Sequence, residues 1–201
     1  MRTDESPDAL ADLTGVDLLI VNSGGGSPDT PIAYDPSWQP SFDSLKAYAA
    51  AGSAILAVHS SANAFPEWPT WGDIIGTRWI PGTSGHPEIS LAVFEADPSA
   101  VTHPVFDNLA PVSGVTERPV VICYDERYWR MPVHAENTPL LGHETLGDWY
   151  PVSWSRNGSV VFDGLGHDRR SYASAQRRQY LANEIRWLLR HRVATDIEGE
   201  L

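Results

Sequence analysis

Two short runs rich in apolar residues constrain the fold of this chain more than any other feature of its sequence. Residues 16–21 end at a glycine-rich stretch, and residues 54–58 end at His59. Runs of this length that lack polar alternation are typical of strands covered on both faces in parallel α/β sheets. Between them, Ser41 can cap a helix that ends near Gly52. The sequence therefore predicts a βαβ unit.

The second half of the chain has a different pattern, in which short strands alternate with turns. The predicted strands are residues 89–95, 119–124, 138–144, 150–155 and 160–162. The Asn157-Gly158 pair before the last of them favours a tight hairpin, and a long helix is predicted from Ser171. We expect one α/β domain over residues 1–201, with a mainly parallel central sheet, antiparallel additions and helices on both faces.

Charge and cysteine content exclude several classes of protein. Lys and Arg total 14 against 26 Asp and Glu, and the net charge of −12 repels a nucleic-acid backbone. No apolar run approaches the ~20 residues that span a bilayer, and the first residues are acidic. We expect a cytoplasmic protein that binds neither nucleic acid nor membrane. Because Cys123 is the single cysteine, any metal must be held by histidines and carboxylates.

Four of the seven histidines lie in turns marked by glycine or proline, where a rigid scaffold can present them: His59, His86, His103 and His167. His59 and His167 each follow an apolar strand closely. If those strands are parallel neighbours, both histidines emerge at the same edge of the sheet. The alternative for each is an ordinary hydrogen-bonded loop histidine, which is our interpretation of His134, His143 and His191.

Two adjacent carboxylates, Asp125 and Glu126, follow the predicted strand 119–124. Since side chains alternate along a strand, the two cannot point the same way. We expect one to face the cleft as an acid, base or ligand, and the other to cap a turn or pair with an arginine. A solvated turn with an ion pair is the alternative.

Cys123 lies inside an apolar strand pattern and is predicted to be a buried, inert thiol. Neither G-x-S-x-G nor G-x-C-x-G occurs, and His59 stands where a nucleophile elbow would be expected. The three glycines at 24–26 match neither a P-loop nor the dinucleotide fingerprint. We expect no nucleotide cofactor.

Six segments, taken together and in this order, resemble the ThuA-like (trehalose-utilisation) family. They are Ile55-Leu56-Ala57-Val58-His59-Ser60, Trp71-Gly72-Asp73-Ile74-Ile75-Gly76 with Gly85-His86-Pro87, His103-Pro104-Val105, Asp125-Glu126-Arg127-Tyr128, Pro151-Val152-Ser153-Trp154, and Gly164-Leu165-Gly166-His167. The resemblance extends over most of residues 16–189. It implies a flavodoxin-like sheet of the class I glutamine amidotransferase-like superfamily, without that superfamily's cysteine elbow.

The resemblance also implies a role in sugar catabolism, on glycosides or their 3-keto derivatives. Members of the family usually carry a further strand-helix-strand unit at the amino end, whereas the sequence as given begins almost at residues 16–21. Either the start is placed too late, or a shortened domain leaves a sheet edge that must be covered. The sheet edge left open there is expected to be covered by a second copy of the chain, giving a homodimer.

We predict an enzyme whose catalytic residues are drawn from His59, His103, Asp125, Glu126 and His167. In the expected reaction a base, His103 or Glu126, removes a proton next to a sugar ketone, and the aglycone is then lost. A divalent, zinc-like metal held by His59, His86 and His167 can polarise the ketone oxygen. The alternatives are a non-catalytic sugar-binding module and a thiol-dependent amidotransferase, which the apolar setting of Cys123 disfavours.

Overall fold

A pair of parallel strands with a helix between them in the chain forms one side of the sheet. The computed structural model describes residues 6–24 and 35–198. Strands β1 (Leu18–Val21) and β2 (Ala54–Val58) pair in parallel, and helix α1 (Gln39–Ala50) lies between them in sequence. The predicted strand, helix and strand are confirmed. Helix α1 begins before Ser41 because Pro40 fits its first turn, where a missing N–H costs no helical hydrogen bond.

Seven strands of the described residues form one mixed sheet in the order β1-β2-β7-β6-β5-β3-β4. The second half supplies β3 (Ser90–Ala96), β4 (Val120–Asp125), β5 (Thr138–Thr145), β6 (Asp148–Arg156) and β7 (Val160–Asp163). Only the β1-β2 and β2-β7 pairings are parallel, and the other four are antiparallel. The predicted α/β class is confirmed, but the mainly parallel, flavodoxin-like sheet is not. The β5-β6 and β6-β7 connections are short turns, which antiparallel strands allow and parallel strands do not.

The sheet has helices on both faces, as predicted. Ala54, Leu56 and Val58 of β2 pack in an apolar cluster that includes residues of helix α3 (Ala175–Glu198). The two side chains between them, of Ile55 and Ala57, pack instead with residues of α1 and of α2 (Thr70–Ile75). Alternate side chains of a strand point to opposite faces, so a strand between two helical layers is apolar throughout.

The sheet is strongly curled. Strands β2, β7 and β4 all run in the same direction, so their carboxyl ends lie along one edge. In a flat sheet, five steps of ~4.8 Å would place β4 about 24 Å from β2. Yet Glu126, directly after β4, has a carboxylate oxygen 3.8 Å from Nε2 of His59, directly after β2. The sheet therefore curls until the ends of β2 and β4 meet.

The β6-β7 hairpin delivers β7 to its place beside β2. Asn157 and Gly158 form its turn, as predicted, and both have positive φ values, of 51° and 72°. Two positive φ values in succession define the hairpin turn that matches the twist of the strands. Trp154 and Phe162 pair across the two strands, with stacked rings 4.6 Å apart.

Replacing Gly158 with alanine is expected to destabilise the protein by about 1 to 2 kcal/mol, because a β-carbon is unfavourable at positive φ. Urea unfolding followed by tryptophan fluorescence measures the change. Asn157→Gly is the matched control, and it is expected to be neutral or slightly stabilising, since glycine adopts the same φ without a β-carbon. A Gly158→Ala variant as stable as the parent protein would contradict the turn geometry.

Candidate active site

His59 is the first residue after β2 and has a left-handed backbone conformation, with a φ of 49°. For a residue with a β-carbon, such a conformation costs on the order of 1 kcal/mol or more. The side chain is buried, and its Nδ1 lies 3.2 Å from the carbonyl oxygen of Gly164, the first residue after β7. Because a carbonyl only accepts, this hydrogen bond needs the proton on Nδ1 and places the lone pair on Nε2.

Burial also keeps this imidazole neutral. It lowers the pKa of His59, against the opposing effects of the Gly164 carbonyl and of the carboxylates of Glu126 and Asp125. A neutral ring with a free Nε2 lone pair can bind a metal or accept a proton. His59 therefore has the chemistry that its position after β2 suggested.

The adjacent carboxylates point in different directions, and Asp125 points into the protein. It is fully buried and accepts hydrogen bonds from the backbone N–H groups of Gly166 (2.8 Å) and His167 (3.3 Å) and from the hydroxyl of Ser171. These bonds join the end of β4 to the turn after β7. Asp125, predicted as catalytic, thus acts on the site by positioning, since its oxygens are taken up by these donors.

Glu126 is in contact with three imidazoles. Its Oε1 lies 3.1 Å from Nδ1 of His167 and 3.4 Å from Nε2 of His86, and its Oε2 lies 3.8 Å from Nε2 of His59. The rings of His59 and His167 are themselves 5.3 Å apart, as expected if both emerge at one edge. The carboxylate is therefore the centre of the arrangement.

One ligand atom each from His59, Glu126 and His167 lies within 4.8 Å of the other two. We call these three residues the His-Glu cluster. Ligand atoms ~2.1 Å from one zinc-like ion are about 3.4 Å apart in a tetrahedral site, so side-chain movements of roughly 1 Å would let the cluster close on an ion. The cluster holds Glu126 where the sequence predicted His86.

His86 lies beside the cluster. Its side chain is 35% exposed, and its Nδ1 lies 3.0 Å from the carbonyl oxygen of Pro87. Donation from Nδ1 to that carbonyl leaves the Nε2 lone pair on the side of Glu126. His86 is thus placed for proton transfer next to the cluster.

Tyr128 is a site residue that sequence reasoning missed. Its hydroxyl oxygen lies 2.9 Å from Nδ1 and 3.3 Å from Nε2 of His59. Burial, followed by the negative charges of Glu126 and Asp125, raises its pKa well above the ordinary value, so the hydroxyl keeps its proton. Its position two residues after Glu126 was the available signal, because residues i and i+2 of an extended segment share a side.

Two further side chains support and flank Tyr128. His143, which the sequence left as an ordinary histidine, is buried with Nε2 2.9 Å from the Tyr128 carbonyl oxygen. The half-buried indole of Trp79 lies 5.3 Å from the Tyr128 ring and 6.1 Å from the His86 ring, measured between ring centroids. Trp79, Tyr128 and His86 form an aromatic wall next to Glu126.

His103 lies at the opposite edge of the sheet from Glu126. It follows the end of β3, and that end pairs with the beginning of β4. Its Nδ1 accepts a hydrogen bond from the backbone N–H of Val105, and its ring lies 4.9 Å from that of Trp187. The predicted role of His103 as the base is not supported, because antiparallel pairing of β3 and β4 carries the two residues to opposite edges.

Cys123 has the buried setting that the sequence predicted. It is 1% exposed, and burial, with the negative charge of Asp125, raises its pKa to about 12. A thiol that stays protonated at neutral pH is a poor nucleophile. Of the glycine stretch, Gly25 and Gly26 lie outside the described residues.

The curled sheet and its histidine-carboxylate cluster define an α/β protein with a candidate active site at the carboxyl edge of three strands. The chain belongs to the ThuA family, described as trehalose utilisation, whose family model matches residues 2–188. This establishes a carbohydrate-related family and confirms the resemblance seen in the sequence.

Two solved structures have the same fold. A ThuA-like protein of Parabacteroides merdae is 17% identical with a TM-score of 0.68, over 89% of this chain and 72% of its own. One from Bacteroides uniformis is 16% identical with a TM-score of 0.61, over 86% of this chain and 69% of its own. No curated protein matches the chain.

Substituting Asp125 and Glu126 separately tests their division of roles. Asp125→Asn is expected to destabilise the protein by about 2 kcal/mol, because one acceptor oxygen of a fully buried, hydrogen-bonded carboxylate becomes a donor. Glu126→Gln is expected to cost at most about 1 kcal/mol, because Glu126 faces the cluster. Urea unfolding measures both. A larger loss for Glu126→Gln would reverse the two roles.

Cys123→Ala is expected to fold and function like the parent protein, because the thiol is buried and protonated. In the folded parent, Cys123 is expected to react with a chromogenic disulfide reagent only as fast as the protein unfolds. The same reagent added in urea provides the control for full reactivity. Loss of activity in a folded Cys123→Ala variant would restore the thiol mechanism.

Proposed function

We propose that this chain is an enzyme of carbohydrate catabolism that acts on a neutral glycoside or its 3-keto derivative. The observation that carries the proposal is the convergence of His59, Glu126 and His167 at one sheet edge. Membership in a trehalose-utilisation family supports the substrate class. A net charge of −12 disfavours anionic substrates such as sugar phosphates and attracts cations.

The His-Glu cluster fits a divalent, zinc-like metal. Two imidazoles and one carboxylate are a ligand set of catalytic zinc sites, which keep a further position open. The bond from His59 Nδ1 to the Gly164 carbonyl is the outer contact that commonly fixes a ligating imidazole. His167 has a side chain that is 38% exposed, so the cluster is open on that side. We therefore propose Glu126, in place of His86, as the third ligand.

A metal bound there would supply Lewis-acid polarisation of the sugar ketone oxygen. His86 is the base that we propose for the reaction, since its Nε2 faces Glu126 while its ring is partly exposed. It takes the proton from the carbon next to the ketone, the electron pair forms a carbon-carbon double bond, and the bond to the aglycone oxygen breaks. Protonated His86 then returns its proton to the departing oxygen.

The half-buried indole of Trp79, with Tyr128 and His86 packed beside it, supports a sugar substrate, because a pyranose ring stacks on a flat apolar surface. The Tyr128 hydroxyl, which keeps its proton, can donate to a sugar oxygen. Exposed Ile20 on the edge strand β1 supports the predicted homodimer, which stays a prediction, as does the cytoplasmic location. Among the described residues, no helix has the length and apolar character to cross a membrane.

The test measures bound Zn²⁺ and the cleavage of chromogenic glycosides and their 3-keto forms. The parent protein is expected to bind one ion per chain at pH 8 and to cleave a 3-keto glycoside, whereas His59→Ala, Glu126→Gln and His167→Ala lose both properties. His86→Ala is expected to keep the ion and to lose cleavage by roughly 100-fold or more. His103→Asn, at the other edge, is the control and is expected to keep both.

Acidification is expected to release the ion, because protons compete for the imidazole nitrogens. Burial lowers the pKa of His59, so His59 itself is protonated only below the ordinary imidazole value of ~6.5. Metal binding without cleavage of any glycoside would favour the sugar-binding module. Absence of metal from the parent protein, with all three variants behaving as the parent, would overturn the proposal.

A further inference from the structure

A buried ion pair lies directly behind the site. Arg177 of α3 and Asp163, the last residue of β7, are both fully buried, and their Nη2 and Oδ2 atoms are 2.6 Å apart. An ion pair removed from water is weak evidence for stability, because desolvation of the two charges offsets their attraction. The role of this pair is therefore better sought in the local conformation that it fixes.

The two residues of the pair form hydrogen bonds with the turn that follows β7. The carboxylate of Asp163 accepts a hydrogen bond of 3.0 Å from the backbone N–H of Leu165, and Nη2 of Arg177 donates to the Leu165 carbonyl at 3.2 Å. Both polar groups of Leu165 are thus held. The peptide group just before it carries the Gly164 carbonyl that lies 3.2 Å from His59 Nδ1.

The turn has little room to adopt another orientation. The Gly164 N–H donates to the carbonyl of Val152 at 2.8 Å. A β-carbon on Gly164 would lie 2.8 Å from that same oxygen and 3.2 Å from the ring of Tyr128. The direction of the Gly164 carbonyl is therefore set by its neighbours on both sides, with Arg177 as the contribution from α3.

A third ionisable group, Glu184, lies near the ion pair of Arg177 and Asp163. Glu184 lies on the same face of α3, is fully buried and accepts a hydrogen bond from the hydroxyl of Ser153. Burial, followed by the charge of Asp163, raises its pKa well above the ordinary value, which favours its neutral form. Its carboxyl group also lies next to that of Asp163, and a neutral Glu184 leaves one cation facing one anion.

We propose that Arg177 is a positioning residue that, together with Asp163, fixes the Gly164 carbonyl and thereby sets the tautomer of His59. A carbonyl aimed at Nδ1 favours the Nδ1–H form and leaves Nε2 free for the His-Glu cluster. Without this aim, either ring nitrogen can carry the proton, and Tyr128 can hydrogen-bond to both. The consequence of the tautomer for metal binding rests on the proposed function, but the tautomer itself does not.

The experiment reads the tautomer directly in the full chain. Nitrogen-15 histidine labelling and long-range proton-nitrogen correlation spectra distinguish Nδ1–H from Nε2–H in metal-free protein at pH 8, and His59→Gln assigns the signals. The parent protein is expected to show the Nδ1–H form of His59. Arg177→Lys, which keeps the charge but has a shorter side chain without the guanidinium Nη2 that contacts both Asp163 and Leu165, is expected to show a mixture of both forms.

Glu184→Gln is the matched control, because glutamine is uncharged and keeps a hydrogen-bond donor next to Asp163, and it is expected to keep the parent spectrum. Asp163→Asn serves if Arg177→Lys does not fold, because an amide cannot accept from both Leu165 and Arg177. It is expected to give the same mixture. A folded Arg177→Lys or Asp163→Asn variant that retains only the Nδ1–H form would overturn the proposal.

Zn²⁺ titration of the same proteins separates this inference from the proposed function. If both hold, the dissociation constant for Zn²⁺ rises roughly tenfold or more in Arg177→Lys and stays unchanged in Glu184→Gln. A changed tautomer in a chain whose parent binds no Zn²⁺ supports the positioning role and counts against the metal. An unchanged tautomer with Zn²⁺ bound at the His-Glu cluster supports the metal and contradicts the positioning role of Arg177.

Discussion

The carboxylate of Asp125 is the contact on which the assembly of the site depends. It stands at the end of β4, the edge strand furthest from β1 in the sheet order, and accepts from the N–H groups of Gly166 and His167 and the hydroxyl of Ser171. These donors belong to the turn after β7 and to the segment before α3. A charge-assisted hydrogen bond is stronger than a neutral one, and a buried carboxylate without donors is costly. The bonds therefore hold the curled sheet closed at the edge where Glu126 meets His59.

This arrangement gives the two adjacent carboxylates different environments, one in the interior and one at the cluster. Adjacent residues of an extended segment point apart, so fixing Asp125 in the interior directs Glu126 to the cluster. In the interior, Arg177 pairs with Asp163, and the Asp125 carboxylate is stabilised by its hydrogen-bond donors. The Glu126 carboxylate, by contrast, faces the imidazole nitrogens of His59, His86 and His167. An added cation at the cluster would be attracted by that carboxylate, which is the physical reason to prefer a metal over an anionic ligand there.

Local sequence patterns predicted the strands and turns well. The curl of the sheet could not be predicted, because it depends on contacts between residues far apart in the sequence. The apolar runs of β1 and β2 and the Asn157-Gly158 turn each specify their structure from neighbouring residues alone, and parallel pairing of β2 with β7 brings His59 and His167 together. Nothing local reveals that β4, five strands from β2, bends back to place Glu126 between them. The same non-local pairing sends His103 to the opposite edge. Arg177 and Glu184 had a signal that was not used, since two opposite charges seven residues apart lie on the buried face of an amphipathic helix.

The position after β2 shows why imidazole chemistry is favoured over thiol chemistry in this chain. His59 holds a left-handed backbone conformation, and such strain persists only where surrounding contacts fix it, here the Gly164 carbonyl and the Tyr128 hydroxyl. Those contacts bring a neutral ring nitrogen to within reach of a carboxylate and a partly exposed imidazole. The lone cysteine, by contrast, is buried beside the negative Asp125, which opposes formation of a thiolate. The groups gathered at the edge that the curl of the sheet creates are therefore imidazoles and Glu126, which can exchange a proton or bind a cation.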